Sequence, residues 1–270
     1  MTYSISIVFR PGRWKNEQRE LLVKELREVA ADCFDSIPEY QCLSGQVDVL
    51  EKCVISLARN QEGRLVGFCS SLLLPVDGVG DVLHLGLTCV GNECRGAGLT
   101  HKLSSAVVTN MLIRNPFRKI WISNVACVLS SLGNVARYFQ EVYPSCWQDS
   151  PPYTEYSDIA RSIDSLYRKE IHIRPEATFN EDTFVFEGST IGTVFKKSAQ
   201  DRTYYHRESY LNNFYLNILN FGRGDEVLQV GYISISGMLN YFLRRQLRKI
   251  PVIRDFIKVP VGNAIIQKVD

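Results

Sequence analysis

The chain has 270 residues, 45% of them hydrophobic and 22% charged, which are the proportions of a globular domain. That composition excludes a disordered chain, a collagen-like repeat and a small disulfide scaffold, and at roughly 100–200 residues per domain the length allows one large domain or one domain with an annex. The 31 Lys and Arg against 29 Asp and Glu leave a net charge of +2. So small a charge creates no global field for nucleic acid, and such a partner would need a local patch.

Tyr3 to Phe9 alternates as a strand does. Arg10 and Arg13 follow this apolar stretch rather than precede it, which is not the layout of a signal peptide. Asn16 to Phe34 spaces Leu21, Leu22, Leu26, Val29 and Phe34 as an amphipathic helix. Cys53 to Arg59 and Leu65 to Leu74 flank Asn60-Gln-Glu-Gly63 and predict a hairpin. After the break at Pro75 to Gly80, Asp81 to Val90 is a further strand. Gly91 to Gly98 is a polar glycine loop, Leu99 to Met111 a helix, Lys119 to Val125 a strand, and Leu132 to Val142 a helix ended before Pro144. This order predicts a mixed α/β fold.

Ser150-Pro-Pro-Tyr153 marks a boundary. Beyond it, Tyr156 to Lys169 predicts a helix, and Thr183 to Phe186 and Thr190 to Phe195 predict a hairpin around Glu187-Gly-Ser. Tyr204 to Phe221 predicts an aromatic-rich helix and Glu226 to Ser236 a strand. The aromatic residues Tyr204, Tyr205, His206, Tyr210, Phe214, Tyr215 and Phe221 are read as core, with an apolar acceptor or long-acyl pocket as the sharper alternative. From Arg244 the tail carries seven basic and two acidic residues, and Arg244 to Lys249 reads as a solvated basic helix face. No run of 18 apolar residues occurs. The eight cysteines all fall within the first 146 residues and form no C-x-x-C or zinc spacing, which suits buried free thiols. A cytoplasmic protein without a metal is the expectation.

The most informative stretch runs from Leu85 to Leu103, where a strand enters a glycine loop and the loop opens a helix. Glycines allow close backbone approach, and unpaired N–H groups at a helix start face an anion such as a diphosphate. A plain strand-to-helix turn is the alternative. The dinucleotide fingerprint is incomplete, because His101 stands where the third glycine belongs. A Walker loop is excluded, because Ala97-Gly98 replaces Lys-Ser/Thr.

Arg95-Gly-Ala-Gly-Leu-Thr100 resembles the acyl-CoA pyrophosphate loop of the GNAT acyltransferase superfamily, Arg/Gln-x-x-Gly-x-Gly/Ala. Arg95 and Gly98 match, and Thr100 stands in place of the final Gly or Ala. The lead-in Val90-Gly-Asn-Glu-Cys-Arg is similar to the family's Val-x-Pro-Glu-Tyr-Arg, with Asn92 for Pro and Cys94 for the aromatic residue. In that family the loop follows the fourth strand, as it does in the element order above. Asn134 to Tyr143 is similar to the family's fourth helix, with Gln140 where a tyrosine is usual. The resemblance spans about residues 3–145. It implies a GNAT-type central mixed sheet flanked by helices over residues 1–150. Residues 151–270 would be a C-terminal elaboration that completes the sheet and walls the acceptor cleft.

The implied reaction is direct transfer of an acetyl or other acyl group from acyl-CoA to an amine of a small molecule or peptide. The pyrophosphate would sit on Arg95, Gly96, Ala97, Gly98, Leu99 and Thr100. Pantetheine would run past Cys89 and Val90, with the Val90 N–H polarising the thioester carbonyl, and Asn134 would touch the coenzyme. His101 and Lys102 would help bind phosphate. His84 is the candidate base, since a two-residue period puts it on the face of Val90. A hydrogen-bonded structural histidine is the plainer reading, and Asp81 and Glu93 are the other carboxylate candidates. Tyr138 or Tyr143 would protonate the leaving thiolate. Cys89 and Cys94 have no ordered His-acid set nearby, so covalent thiol catalysis is not expected. The rival class is a non-catalytic protein of the same fold that senses acyl-CoA or binds a partner through its C-terminal half.

Overall fold

A computed structural model describes residues 3–239. The strands are β1 (Ser4–Phe9), β2 (Cys53–Arg59), β3 (Leu65–Val76), β4 (Gly80–Val90), β5 (Ile120–Ala126), β6 (Gln140–Tyr143), β7 (Thr178–Asn180), β8 (Val185–Glu187) and β9 (Glu226–Ile233). The helices are α1 (Asn16–Ala31), α2 (Val47–Leu50), α3 (Leu99–Arg114), α4 (Leu129–Tyr138), α5 (Thr154–Leu166) and α6 (Ser209–Ile218). The basic stretch Arg244 to Lys249 lies outside the described residues.

One mixed sheet runs β1-β2-β3-β4-β5-β9-β8-β7, with β6 also paired to β9. The β4–β5 pair is parallel and the other pairs are antiparallel. The mixed α/β sheet expected from the sequence is therefore present. The sheet carries strands from both sides of residue 150, because β9 lies against β5 over seven register pairs.

Helices cover both faces. Leu22, Leu26 and Val29 of α1 pack with Ile55, Phe68, Leu72 and Leu74, and Ile159 and Ile163 of α5 join the same cluster. On the other face Leu99, Leu103 and Val107 of α3 pack with Val54, Val66, Cys69 and Leu73. This is why β3 reads as a nearly unbroken apolar run and is buried along its length apart from Pro75. A third cluster joins α4 and α6 through Leu129, Leu132, Leu211 and Tyr215. Tyr215 thus belongs to the core, whereas Tyr210 is exposed.

Several elements differ from the sequence reading. The helix expected over 132–142 is α4, which starts at Leu129 and ends at Tyr138. Phe139 is extended and Glu141 has φ 48°, so the chain turns into β6 on the edge of β9. The expected 183–195 hairpin is instead β7 with β8, joined through residues 181–184. Asn180 Oδ1 accepts the N–H groups of Asp182 and Thr183 at 3.0 and 3.1 Å, and this side-chain turn sets the earlier reversal. The aromatic helix shortens to α6, preceded by a turn in which Asp201 caps the Thr203 N–H at 3.0 Å. Among the described residues no helix is long and apolar enough to cross a membrane.

A fragment ending at residue 150 keeps β5 and loses the strand that covers it. Circular dichroism is expected to show no cooperative thermal unfolding for this fragment, in contrast to the full chain. A cooperative melt of the fragment would make β9 dispensable.

Candidate active site

The site begins with an extra residue in β4. Cys69 of β3 faces Thr88 and Ser71 faces Leu85, so Gly86 and Leu87 together face Ser70. Two residues against one form a β-bulge, which bends its strand. The bend separates β4 from β5, whose parallel register is limited to Leu83–Ile122, His84–Ser123 and Leu85–Asn124. Gly86 is the residue the bend allows, because a Cβ there would lie 2.0 Å from the buried Gln41 side chain.

Beyond the divergence is a cavity of about 930 Å³. Leu85 to Thr88 line one edge and Asn124 to Val128 the other. On the α3 side it is lined by Thr100, His101 and Ser104, faced by Asn134 and Tyr138 of α4. On the α1 and α5 side it is lined by Tyr40, Ile171, His172, Phe195 and Glu226. The volume is at the upper end of ordinary ligand pockets.

The α3 side is built for an anion. Gly96 and Gly98 have φ of 77° and 69°, a region open to glycine at no steric cost. A Cβ on either would meet nothing within 4 Å, so the loop faces open space. Gly98 precedes α3 and no side chain caps it. The first intrahelical bond there is Lys102 N–H to Gly98 O, so the N–H groups of Leu99, Thr100 and His101 lack helical acceptors. The loop is pinned from α1: Asp32 Oδ2 accepts the Asn92 N–H at 3.1 Å, and Arg95 donates to Asp32 O at 2.6 Å. Leu99 and Cys94 are buried anchors, while Arg95, Gly96, Ala97, Gly98 and Thr100 are exposed. These features fit a diphosphate cradle.

The edge of β4 supplies further donors. Gly91 N–H donates to Val66 O at 2.9 Å. Antiparallel pairing alternates, so the N–H groups of Val90 and Thr88 point away from β3, toward the side β5 has left. Thr88 lines the cavity. The Cys89 side chain points to the other face and is fully buried.

The bulge also overturns the assignment of His84 as base. Leu85 and Thr88 share one face across it, so alternation reverses and His84 lies opposite to Val90. His84 pairs beside Leu72 on the α1 face, is 1% exposed and is bonded to Ser123 Oγ at 3.0 Å. Burial lowers its pKa to about 3. It does not line the cavity, so it is a structural histidine. Asp81 and Glu93 lie elsewhere, the latter paired with Arg64. Tyr143 is also out of reach: it is buried, packs on Phe184 at 4.9 Å and donates its hydroxyl to Asp182 O. Tyr138 is inside, 6.0 Å from the His101 ring, and accepts from Arg207 at 3.4 Å. Gln140 also lines the cavity, but its Oε1 is taken up by the N–H and hydroxyl of Ser234, which it accepts at 3.0 and 2.8 Å.

Sequence reasoning missed Glu226 and the Tyr40, His172 and Phe195 rings. Glu226 carried one faint signal, a carboxylate at the first position of an apolar strand run, directly after Asp225. The three rings come from separate segments and share no motif. Among the described residues no group of three or more His, Cys, Asp or Glu is placed to hold a metal ion.

No family model and no curated protein matches the chain. Solved structures do match. A ribosomal-protein-alanine N-acetyltransferase from Brucella melitensis biovar Abortus 2308 is 17% identical over 42% of this chain and 76% of that one, with a TM-score of 0.30. An acetyltransferase from Trypanosoma brucei is 17% identical over 50% of this chain and 89% of that one, with a TM-score of 0.36. A GNAT-family acetyltransferase from Staphylococcus aureus Mu50 is 17% identical over 44% of this chain and 73% of that one, with a TM-score of 0.31. These are likenesses of fold over half of the chain or less. The chemistry has to come from this chain's own residues.

Beside the loop, Cys33 is half-exposed, 3.6 Å from Val90 O and 4.0 Å from an Arg95 nitrogen. The Cys89 thiol hydrogen-bonds to it and, with a backbone bond from Val90 and the Arg95 guanidinium, lowers its pKa to about 6 against the opposing effect of burial. The thiols of Cys42, Cys53, Cys69, Cys127 and Cys146 are all raised by burial. Limited iodoacetamide near neutral pH is therefore expected to alkylate Cys33 ahead of these five. Its rate should climb through about pH 6 and level off above, as read by peptide mass mapping.

Proposed function

We propose that this chain is an acyl-CoA-dependent N-acyltransferase. The observation that carries the reading is the cavity between the diverging β4 and β5, which reaches the amides at the start of α3. Three unpartnered N–H groups and the α3 dipole favour a diphosphate there. Exposed Arg95 and Lys102 add positive charge beside it. The β4 edge amides of Val90 and Thr88 suit the amide-bearing arm of the donor, with Asn134 facing them from α4.

A carbonyl at the Thr88 N–H would be polarised there, and the same donor would stabilise the oxyanion that forms on attack. Val90, the position expected from the sequence, is two register pairs nearer the loop and would hold the arm. Attack by the amine forms the C–N bond, and loss of the thiolate breaks the C–S bond. Tyr138, which lines the cavity, would protonate the departing sulfur through its hydroxyl. Holding amine and thioester in one cleft supplies most of the acceleration, with no covalent enzyme intermediate.

Calorimetric titration of acetyl-CoA into the wild type and Gly98→Asp tests this. Aspartate tolerates the left-handed backbone better than most residues, and its charge opposes a diphosphate. The wild type is expected to bind in the micromolar range and the variant to lose more than about tenfold, or about 1.4 kcal/mol. A folded wild type that binds neither acetyl-CoA nor CoA would overturn the reading. Tyr138→Phe is expected to lower kcat about tenfold or more while leaving acetyl-CoA affinity within about twofold, measured by thiol release.

A further inference from the structure

The α1 and α5 end of the cavity has a chemistry of its own. Glu226, Leu228 and Val230 alternate along β9, and Leu228 and Val230 belong to the α1 and α5 cluster. Glu226 therefore faces that side, opposite the diphosphate cradle, with the gap between β4 and β5 joining the two. We propose that this end is a subsite for one ammonium group. Glu226 is its counter-ion and proton acceptor, and Tyr40, His172 and Phe195 form its aromatic wall, so the acceptor is a primary amine with a single positive charge. The inference rests on the acyltransferase reading and names the acceptor class.

Glu226 is 9% exposed and lines the cavity. Ser189 Oγ donates to its Oε2 at 2.5 Å. Among the described residues no Lys or Arg pairs with it, and no other Asp or Glu lines the cavity. A buried carboxylate without a cation is costly, so Glu226 gains either from a proton or from a positive guest, and the cavity gives a guest access to it. The rings stand together: Tyr40 to Phe195 at 5.5 Å, His172 to Phe195 at 5.2 Å and Tyr40 to His172 at 6.0 Å. Cys127, next to the cavity edge of β5, donates to Phe195 O at 3.4 Å and ties this wall to the Glu226 strand. Aromatic rings attract a cation without neutralising it, which leaves the carboxylate to take the proton.

The charges around Glu226 suit this role. Burial raises its pKa to about 7, opposed by the Ser189 bond. Burial, reinforced by the Glu226 charge, holds the Tyr40 phenol protonated. Burial likewise raises the Cys127 thiol and keeps the His172 imidazole neutral. The Lys197 ammonium lies over the Tyr204 ring at 4.7 Å. The ammonium gives one proton to Glu226, which passes it to solvent. The neutral nitrogen attacks the thioester carbon, and its second proton leaves with the sulfur through Tyr138. Atoms and charge balance: ammonium and thioester become amide, thiol and one released proton. His101, Lys197 and Arg207 also line the cavity, so the second and third charges of a polyamine would find no carboxylate there.

The test uses the full chain with 2-phenylethylamine, spermidine and the neutral 2-phenylethanol. Titration into CoA-saturated protein should show binding of 2-phenylethylamine and none of 2-phenylethanol. Acetyl transfer to 2-phenylethylamine should exceed transfer to spermidine, with kcat/KM rising through about pH 7. Glu226→Gln should lower kcat about 100-fold or more and flatten that limb, with acetyl-CoA affinity unchanged. Ser189→Ala removes only the bond that lowers the Glu226 pKa, so it should move the midpoint upward, and it carries the test if Glu226→Gln does not fold. Unchanged rate and pH limb in these variants, or preference for spermidine, would overturn the proposal. Failure of acetyl-CoA to bind the wild type would instead overturn the acyltransferase reading, and the amine titration without CoA would still decide the subsite.

Discussion

Gly86 and Leu87 of β4 face the single Ser70 of β3, and the buried Gln41 side chain fills the space a Cβ at Gly86 would need. A bulged strand cannot stay in parallel register with a straight neighbour, so β4 and β5 part after three register pairs. The parting opens the cavity, turns the amides of Thr88 and Val90 toward it, and reverses which side chains face α1 and which face α3. One backbone irregularity thus determines where an acyl donor could lie and removes His84 from the chemistry.

The two ends of the cavity differ in charge. The start of α3 presents uncapped amides with Arg95 and Lys102 beside them. The opposite end presents one carboxylate within an aromatic wall. An anionic donor and a cationic acceptor would each be drawn to a different mouth, and the gap between β4 and β5 is where they would meet. Charge separation of this kind orients both reactants before any reacting group is engaged.

Residues past 150 do structural work for both ends. β9 is an interior strand beside β5 and brings Glu226. The segment after α5 brings His172, and the turns after β8 bring Phe195. Gln140, at the position where the family resemblance leads to a tyrosine, instead joins β6 to the end of β9 through Ser234. Tyr138, two residues earlier at the end of α4, is the tyrosine that lines the cavity beside it, with Arg207 from the C-terminal half bonded to its hydroxyl.

The sequence by itself determined the mixed α/β order of elements and the glycine loop opening α3. Both depend on neighbours in the chain: apolar periodicity, turn residues and the left-handed glycines at 96 and 98 act within a few residues. Only the tertiary structure decided the rest. A bulge is a mismatch between two strands, so counting along β4 alone put His84 on the face of Val90. The 178–187 hairpin was misplaced because the Asn180 side chain, not a glycine, makes the reversal. Tyr40, His172, Phe195 and Glu226 are separated by up to 186 positions in the chain and meet because β9 inserts beside β5. Proximity of that kind comes from strand pairing and packing, which no local pattern of residues records.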